Sequence, residues 1–260
     1  MAAGRIDPME QFLVEPVLGR HIEIGGFDLS FTNSALFMIV VFALLALFVS
    51  GGLKRQLVPG RWQVAVEGAV GFIDNMVTTS IGAEGKKFAP YLFSLFFFIL
   101  FANFIGVLPL AILPGLHTFA VTSHITVTAV LAFLSFAIVL AVGFWRHGLH
   151  FFSLFVPHGA PAWLMPVIIP VEFVSFMVRP FSLGLRLFVA MTAGHILLEV
   201  FGSFVVQGIQ AASPLGGIVS VLSFVMIVGV SALELLVCAI QAYVFALLTS
   251  LYLNDAVHLH

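Results

Sequence analysis

Apolar residues run in long blocks along this chain, and the polar ones gather in the gaps between blocks. Phe31 to Ser50 is the first block. Its length of about 20 residues matches a helix crossing a hydrocarbon core about 30 Å thick. Thr32 or Asn33 is placed to cap its start, and Gly51–Gly52 followed by Lys54–Arg55 ends it. The stretch from Arg61 to Ile81 has a different rhythm. Trp62, Ala65, Val66, Ala69, Val70, Ile73, Met76 and Val77 recur at spacings of three and four, interrupted by Arg61, Glu67, Asp74 and Asn75. This pattern predicts an amphipathic helix lying on the membrane surface, with a loosely packed cytosolic helix as the plainer alternative.

Two further blocks cover about 91–113 and 122–145. Pro109 and Pro114 close the first, Pro114–Gly115 makes the turn, and Thr122 and Ser123 supply capping hydroxyls to the second. A Pro-broken connection then leads into two longer blocks, about 161–206 and 214–253, with Gln207–Gly208 and Ser213–Pro214 marking the turn between them. A helix of about 40 residues is about 60 Å long, twice the core thickness. Each must tilt strongly or break in two. The predicted fold is an all-α integral membrane protein. It has five membrane helices (about 31–50, 91–113, 122–145, 161–206 and 214–253), the last two long and strongly tilted, plus one amphipathic surface helix at 61–81. Residues 1–30 form an external N-terminal tail, and residues 31–260 form a single membrane domain.

Composition agrees with that expectation. The chain is 61% apolar and only 8% charged, where a soluble domain carries about 25% charged residues. Its net charge of −2 gives nucleic acid nothing to bind. The lone Cys238 lies in an apolar run and reads as a small core residue. The first 30 residues hold Arg5, Asp7, Glu10, Glu15, Arg20, Glu23 and Asp28 and lack the apolar stretch of a cleaved signal; they are not an Arg-rich transit sequence either. A bacterial plasma (inner) membrane is the expected location. Beyond the tail, Lys54, Arg55, Arg61, Lys86 and Lys87 lie between the first two spans, and Arg146 follows the third. The positive-inside rule then puts the N-terminus outside and the C-terminus in the cytoplasm.

Only Arg179 and Arg186 are left as cations inside apolar sequence. A charge at the centre of a bilayer helix costs about 2.5–3.5 kcal/mol on insertion scales, so a chain that keeps one has a use for it. On a helix, Glu172, Arg179 and Arg186 fall at intervals of seven and share one stripe, drifting about 20° per step. His195, nine residues past Arg186, lies on the other side, with Glu199 one turn beyond it. Glu234, Gln241 and Tyr252 form a stripe on the last helix, with Ser231 one turn before Glu234. His195, Glu199 and Glu234 are read as facing one another across the two long helices and lining a proton path, because burial brings such groups toward neutral titration. Arg186 is read as a fixed charge facing a partner. Plainer readings stay open at this point: Arg179 as a structural arginine, Glu172 as its ion-pair partner or an interfacial residue, and Gln241 and Tyr252 as satisfied polar groups between helices. His147, His150 and His158 share a loop without metal-site spacing, so no metal or cofactor is expected. No nucleophile–base set stands out, so no catalytic residue is assigned.

The stretch RPFSLGLRLFVAMTAGH (179–195) resembles the signature of subunit a of F-type ATP synthases. LELLVCAIQAYVFALLTSLYL (233–253) resembles that family's last helix, and DPMEQF (7–12), FANFIGVLP (101–109), TSHITVT (122–128) and GFWRHGLHFF (143–152) are similar to further parts of its bacterial, alphaproteobacterial-like members. The resemblance implies a non-catalytic, proton-conducting stator subunit with two half-channels that load and unload carboxylates on a ring of c subunits. It implies b-type peripheral stalk subunits as further partners, beside the lipid bilayer. It makes Arg186 the essential stator charge, pairs His195 with Glu234, and adds Gln241, Tyr252, Asn103 and Ser182 to the path, with Glu199 beside His195 and Glu172 near the inner half-channel. Where the family commonly has Asn four residues after the arginine, this chain has Ala190, which cannot hydrogen-bond. The alternative from another class is a secondary ion-coupled transporter with an intramembrane His/carboxylate site, against which the absence of an inverted repeat counts.

Overall fold

The structure, a computed structural model, describes residues 23–24, 27–28, 32–52, 60–107, 120–156, 164–211 and 213–258. A two-residue antiparallel ladder, β1 (Glu23–Ile24) and β2 (Phe27–Asp28), pairs Glu23 with Asp28. The other regular elements described are helical: α1 (Asn33–Gly52), α2 (Arg61–Ile81), α3 (Ala89–Val107), α4 (Ile125–His147), α5 (Met165–Gln210) and α6 (Pro214–Val257), with 3-10 segments at Ala83–Lys87, Val121–Ser123 and Gly148–Phe155. All but α2 among the six α-helices are long and apolar enough to cross a membrane. The protein is an all-α, multi-pass integral membrane protein.

The elements follow from the pattern with few changes. Thr32 Oγ1 accepts from the Ala35 N–H at 3.4 Å and so caps α1. The amphipathic helix runs from Arg61 to Ile81 as expected. Thr122 and Ser123 do not cap α4, however. Their side-chain oxygens have no hydrogen-bond partner among the described residues, and both residues belong to the 3-10 turn before the helix. The Gln207–Gly208 break is also overridden, since α5 continues to Gln210. Neither long block divides in two. α5 is continuous over 46 residues despite Pro170 and Pro180, and α6 over 44. At about 69 and 66 Å they exceed the bilayer core twofold and must tilt to stay in it. The N-terminal tail except for the small ladder, Lys54–Arg55, Pro109, the Pro114–Gly115 turn, His158 and the Pro161 start of the fourth block lie outside the described residues.

The chain divides into two compact units. One comprises Met1–Leu44, Ile99–His124 and Phe188–Gln241. Here the end of α5 packs closely on the start of α6: Ser220 Oγ donates to the Val205 carbonyl at 3.0 Å, and a Cβ at Gly208 would meet Ser220 Oγ and, at 2.5 Å, the Gly216 carbonyl. Small residues permit this backbone approach in place of large interlocking side chains. The other unit comprises Leu45–Phe98, Ile125–Leu187 and Ala242–His260. Phenylalanine fills it. Phe176, 2% exposed, meets Phe136, Phe151 and Phe155 with ring centroids 5.0, 6.1 and 5.5 Å apart. Aromatic pairs of this geometry add about 0.5–1.5 kcal/mol beyond their buried area. Trp62 Nε1 donates to the Phe48 carbonyl at 3.1 Å, which ties the start of α2 to the end of α1. Glu84 pairs with Arg146, and His147 Nε2 lies 3.2 Å from the Val257 carbonyl.

Candidate functional site: a buried His–Glu pair and an exposed arginine

The first unit holds a polar core that its apolar setting does not explain. His195 on α5 and Glu234 on α6 are 8% and 2% exposed. His195 Nδ1 stands 3.6 Å from Glu234 Oε1, beyond hydrogen-bond range but within ion-pair range. Two glycines make room for the pair. A Cβ at Gly194 would come within 2.5 Å of Glu234 Oε1, and one at Gly106 within 2.8 Å of Ala120 Cβ and 3.3 Å of His195 Nε2. Asn103, fully buried on α3, donates through Nδ2 to the Cys238 carbonyl at 3.4 Å. Thr192 Oγ1 donates to the Ser123 carbonyl, also at 3.4 Å.

The polar atoms left over form a pattern. His195 Nε2, both Glu234 oxygens, Asn103 Oδ1, Thr122 Oγ1, Ser123 Oγ and Gln241 Nε2 are buried and have no hydrogen-bond partner among the described residues. A buried polar group without a partner costs about 1–3 kcal/mol. One such group is an accident of packing. Seven such atoms lie in one compact unit, on α3, the 121–123 turn, α5 and α6, so its interior is polar at these positions rather than hydrocarbon-like. Glu199 is half-buried one turn past His195, and Cys238 is fully buried beside Met191 Sδ at 4.0 Å.

The second unit holds the arginines, and it treats them differently. Arg179 Nη1 donates to Asp255 Oδ2 at 2.8 Å, and its guanidinium lies 5.3 Å from the Phe176 ring centroid and 5.0 Å from that of Tyr252. This is a served structural arginine, held by a carboxylate and two aromatic faces. The alternative pairing of Glu172 with Arg179 is thereby corrected: Asp255 takes that place, and half-buried Glu172 makes no ion pair among the described residues. Arg186 is exposed and makes no hydrogen bond or ion pair among the described residues. It shares its open face with the exposed Ser182 and with Val189, 56% exposed, and Leu185, 47% exposed, flanks that face.

Sequence reasoning had named His195, Glu234, Arg186, Asn103, Gln241 and Tyr252. It missed Asp255, whose only signal is its position three residues past Tyr252, one helical turn on the same face. It missed Gly194 and Gly106 because clearance for a neighbour's side chain leaves no periodic trace. It read Thr122 and Ser123 as caps, although their hydroxyls are buried with no hydrogen-bond partner among the described residues.

Known proteins agree closely with this chain. Residues 33–254 match the family model described as ATP synthase A chain. Proteins named ATP synthase subunit a are similar over nearly the whole length. That of Sphingopyxis alaskensis is 67% identical over 259 residues, covering 99% of this chain and 98% of the relative. That of Rhizorhabdus wittichii is 61% identical over 258 residues, with the same coverage. That of Rhodospirillum rubrum is 44% identical over 254 residues, covering 97% of this chain and 99% of the relative.

Proposed function

The chain belongs to the ATP synthase A chain family, and from that premise we propose that it is the proton-conducting stator subunit of an ATP synthase membrane sector. It sits in a bacterial inner membrane with its N-terminal tail outside and its C-terminus in the cytoplasm, beside a ring of c subunits and b-type stalk subunits. A proton enters from outside through the polar lining around His195, Glu199 and Glu234, to which Asn103, Thr122, Ser123 and Gln241 contribute. It passes to a carboxylate on a c subunit. The neutral carboxyl can then turn through lipid, since its charge no longer bars it from hydrocarbon. After most of a revolution the proton leaves toward the cytoplasm near Glu172 and Tyr252. The subunit itself makes and breaks no covalent bond. At about 2.3 kcal/mol per proton per 100 mV, several protons are needed for each ATP.

The observation that supports this most is the state of Arg186. Among the described residues no carboxylate pairs with it, and it stands on an exposed face. A guanidinium stays protonated at every relevant pH. Facing a ring of carboxylates, it holds each ionised one briefly and blocks direct proton flow between the two paths. Ser182, exposed one turn earlier on the same face, adds a hydroxyl for the passing carboxyl. Replacing Arg186 with Ala is expected to leave the complex assembled in the membrane while abolishing proton-driven ATP synthesis in inverted vesicles. Normal coupled synthesis in that variant refutes the assignment.

A further inference from the structure

A cavity of about 710 Å³ lies in the second unit, walled by the end of α1, one side of α2, Lys86 and the start of α3. That volume falls in the range of about 300–1,000 Å³ typical of small-molecule sites. Its position is set by the elements that line it. Val49 and Gly52 end one membrane helix, Ala89, Pro90 and Phe93 begin the next, and α2 is the amphipathic surface helix. The cavity is therefore at headgroup depth, where acyl chains meet polar groups.

The lining has two stripes on α2. Val66, Val70 and Ile73 recur at helical spacing and form the apolar one, with Val49 and Phe93 opposite the bilayer-facing helices' ends. Glu67, Gly71 and Asp74, each one position further on, form the polar one. Gln63 Nε2 donates to Glu67 Oε1 at 2.8 Å and fixes that carboxylate. Lys86 contributes the opposite charge from the 3-10 segment. Neither Glu67 nor Asp74 forms an ion pair with Lys86, although all three line one cavity. Gly71 lies between the carboxylates, and a Cβ there would meet nothing within 4 Å. Among the described residues the site thus offers one cation, two anions held apart from it, an open floor between the anions, and an apolar wall alongside.

We infer that this cavity binds a zwitterionic phospholipid bearing a primary ammonium, of the phosphatidylethanolamine class. Its phosphate sits on Lys86, its ammonium donates hydrogen bonds to Glu67 and Asp74, and one acyl chain lies against Val66, Val70, Ile73 and Phe93. The charge pattern selects this headgroup. An anionic glycerol headgroup gives the two carboxylates no cation. A choline headgroup supplies the cation but no N–H donor. The proposal is independent of proton translocation, since none of these residues belongs to the polar lining or to the exposed face of Arg186.

The test uses the assembled membrane complex, stripped of lipid in detergent and given phosphatidylethanolamine, phosphatidylglycerol or phosphatidylcholine at matched concentration, with retained lipid read by native mass spectrometry. One ethanolamine lipid per chain is expected, about tenfold preferred over the other two, as loss of charge-assisted hydrogen bonds implies. The double variant Glu67→Gln, Asp74→Asn, which leaves the apolar wall intact, should bring that preference down to about that of the glycerol lipid. Gly71→Leu should fill the floor and abolish retention without disturbing assembly. Equal retention of the three lipids by the unaltered complex overturns the proposal, as does undiminished retention in Gly71→Leu. So does a Gly71→Cys cross-link in native membranes to another subunit's helix, because the occupant is then a protein.

Discussion

Gly194 offers the sharpest test of the buried pair, because a single methyl there changes geometry without changing charge. A Cβ on Gly194 would lie 2.5 Å from Glu234 Oε1, 2.9 Å from Cδ and 3.2 Å from Cγ. Ordinary contact begins at 3.4 Å, so the carboxyl oxygen must retreat by about 0.9 Å. Glu234 is 2% exposed, and its Cγ, at 3.2 Å, must move with the carboxyl inside the packed interior. The displaced oxygen is the one that faces His195 Nδ1 at 3.6 Å. A misplacement of about 1 Å costs on the order of a hundredfold in a rate that depends on alignment, or about 2.7 kcal/mol. Gly194→Ala should therefore lower ATP synthesis and ATP-driven proton pumping by one to two orders of magnitude, read in inverted vesicles with a pH-sensitive dye. Immunoblots of the assembled complex should be unchanged. Gly202→Ala on the same helix is the control. Its Cβ would meet nothing within 4 Å, and Ala favours a helix over Gly by up to about 1 kcal/mol, so coupling should stay normal. Shortening the displaced side chain, as in Gly194→Ala with Glu234→Asp, should restore part of the rate. Full coupling in Gly194→Ala, or no recovery in the double variant, refutes the reasoning.

Residues outside the His195–Glu234 pair give further checks. Asp255→Asn should lower the detergent-state unfolding midpoint by an amount equivalent to about 1 kcal/mol or less, because the Arg179 pair is part-exposed; a change of several kcal/mol contradicts that exposure. Tyr252→Phe should keep the contact with Arg179, and Tyr252→Leu should lose about 0.5–1 kcal/mol of it, in the same measurement. Thr122→Val replaces a buried hydroxyl that has no partner among the described residues by an isosteric methyl, so folding should be unchanged or stabilised by up to about 1 kcal/mol in thermal unfolding; marked destabilisation means that the hydroxyl is satisfied. Glu84 is held below its ordinary carboxylate value of 4.5, first by the hydrogen bond from Arg146 and then by that residue's charge. A lowered folded-state value means that the contribution is present above the unfolded value and lost as pH falls through the folded one. Acidification below the ordinary value should thus lower the unfolding midpoint, and Arg146→Gln should flatten that dependence.

The architecture was legible because bilayer helices obey length and hydropathy rules that need no tertiary information. Arg61–Ile81 could be told from its neighbours because most of its apolar residues gather on one face, with polar residues between them. The charges were legible for a related reason, since Arg186, His195 and Glu234 stand out in apolar sequence. What stayed hidden depends on which helix lies against which. Asp255 looked like a polar residue near a chain end, and only packing of the 242–260 segment beside Arg179 gives it a partner. Thr122 and Ser123 carry residue types that suit a helix cap, and local propensity pointed there. Their burial, with oxygens that have no partner among the described residues, reflects neighbours distant in sequence.

The contrast between the two arginines shows why residue type alone could not assign the site. Arg179 and Arg186 are seven residues apart on α5 and share one stripe. Each brings the same permanent charge into an apolar segment, and the same energetic problem. The chain solves the problem internally for Arg179, with Asp255 and the faces of Phe176 and Tyr252. Arg186 has no hydrogen-bond acceptor or ion-pair partner among the described residues and lies beside exposed Leu185 and Val189. A stable fold that satisfies one guanidinium so thoroughly has the means to satisfy another. One stripe of α5 thus carries an arginine whose charge is met by a carboxylate among the described residues and another whose charge is not, a difference that residue type does not carry and packing does.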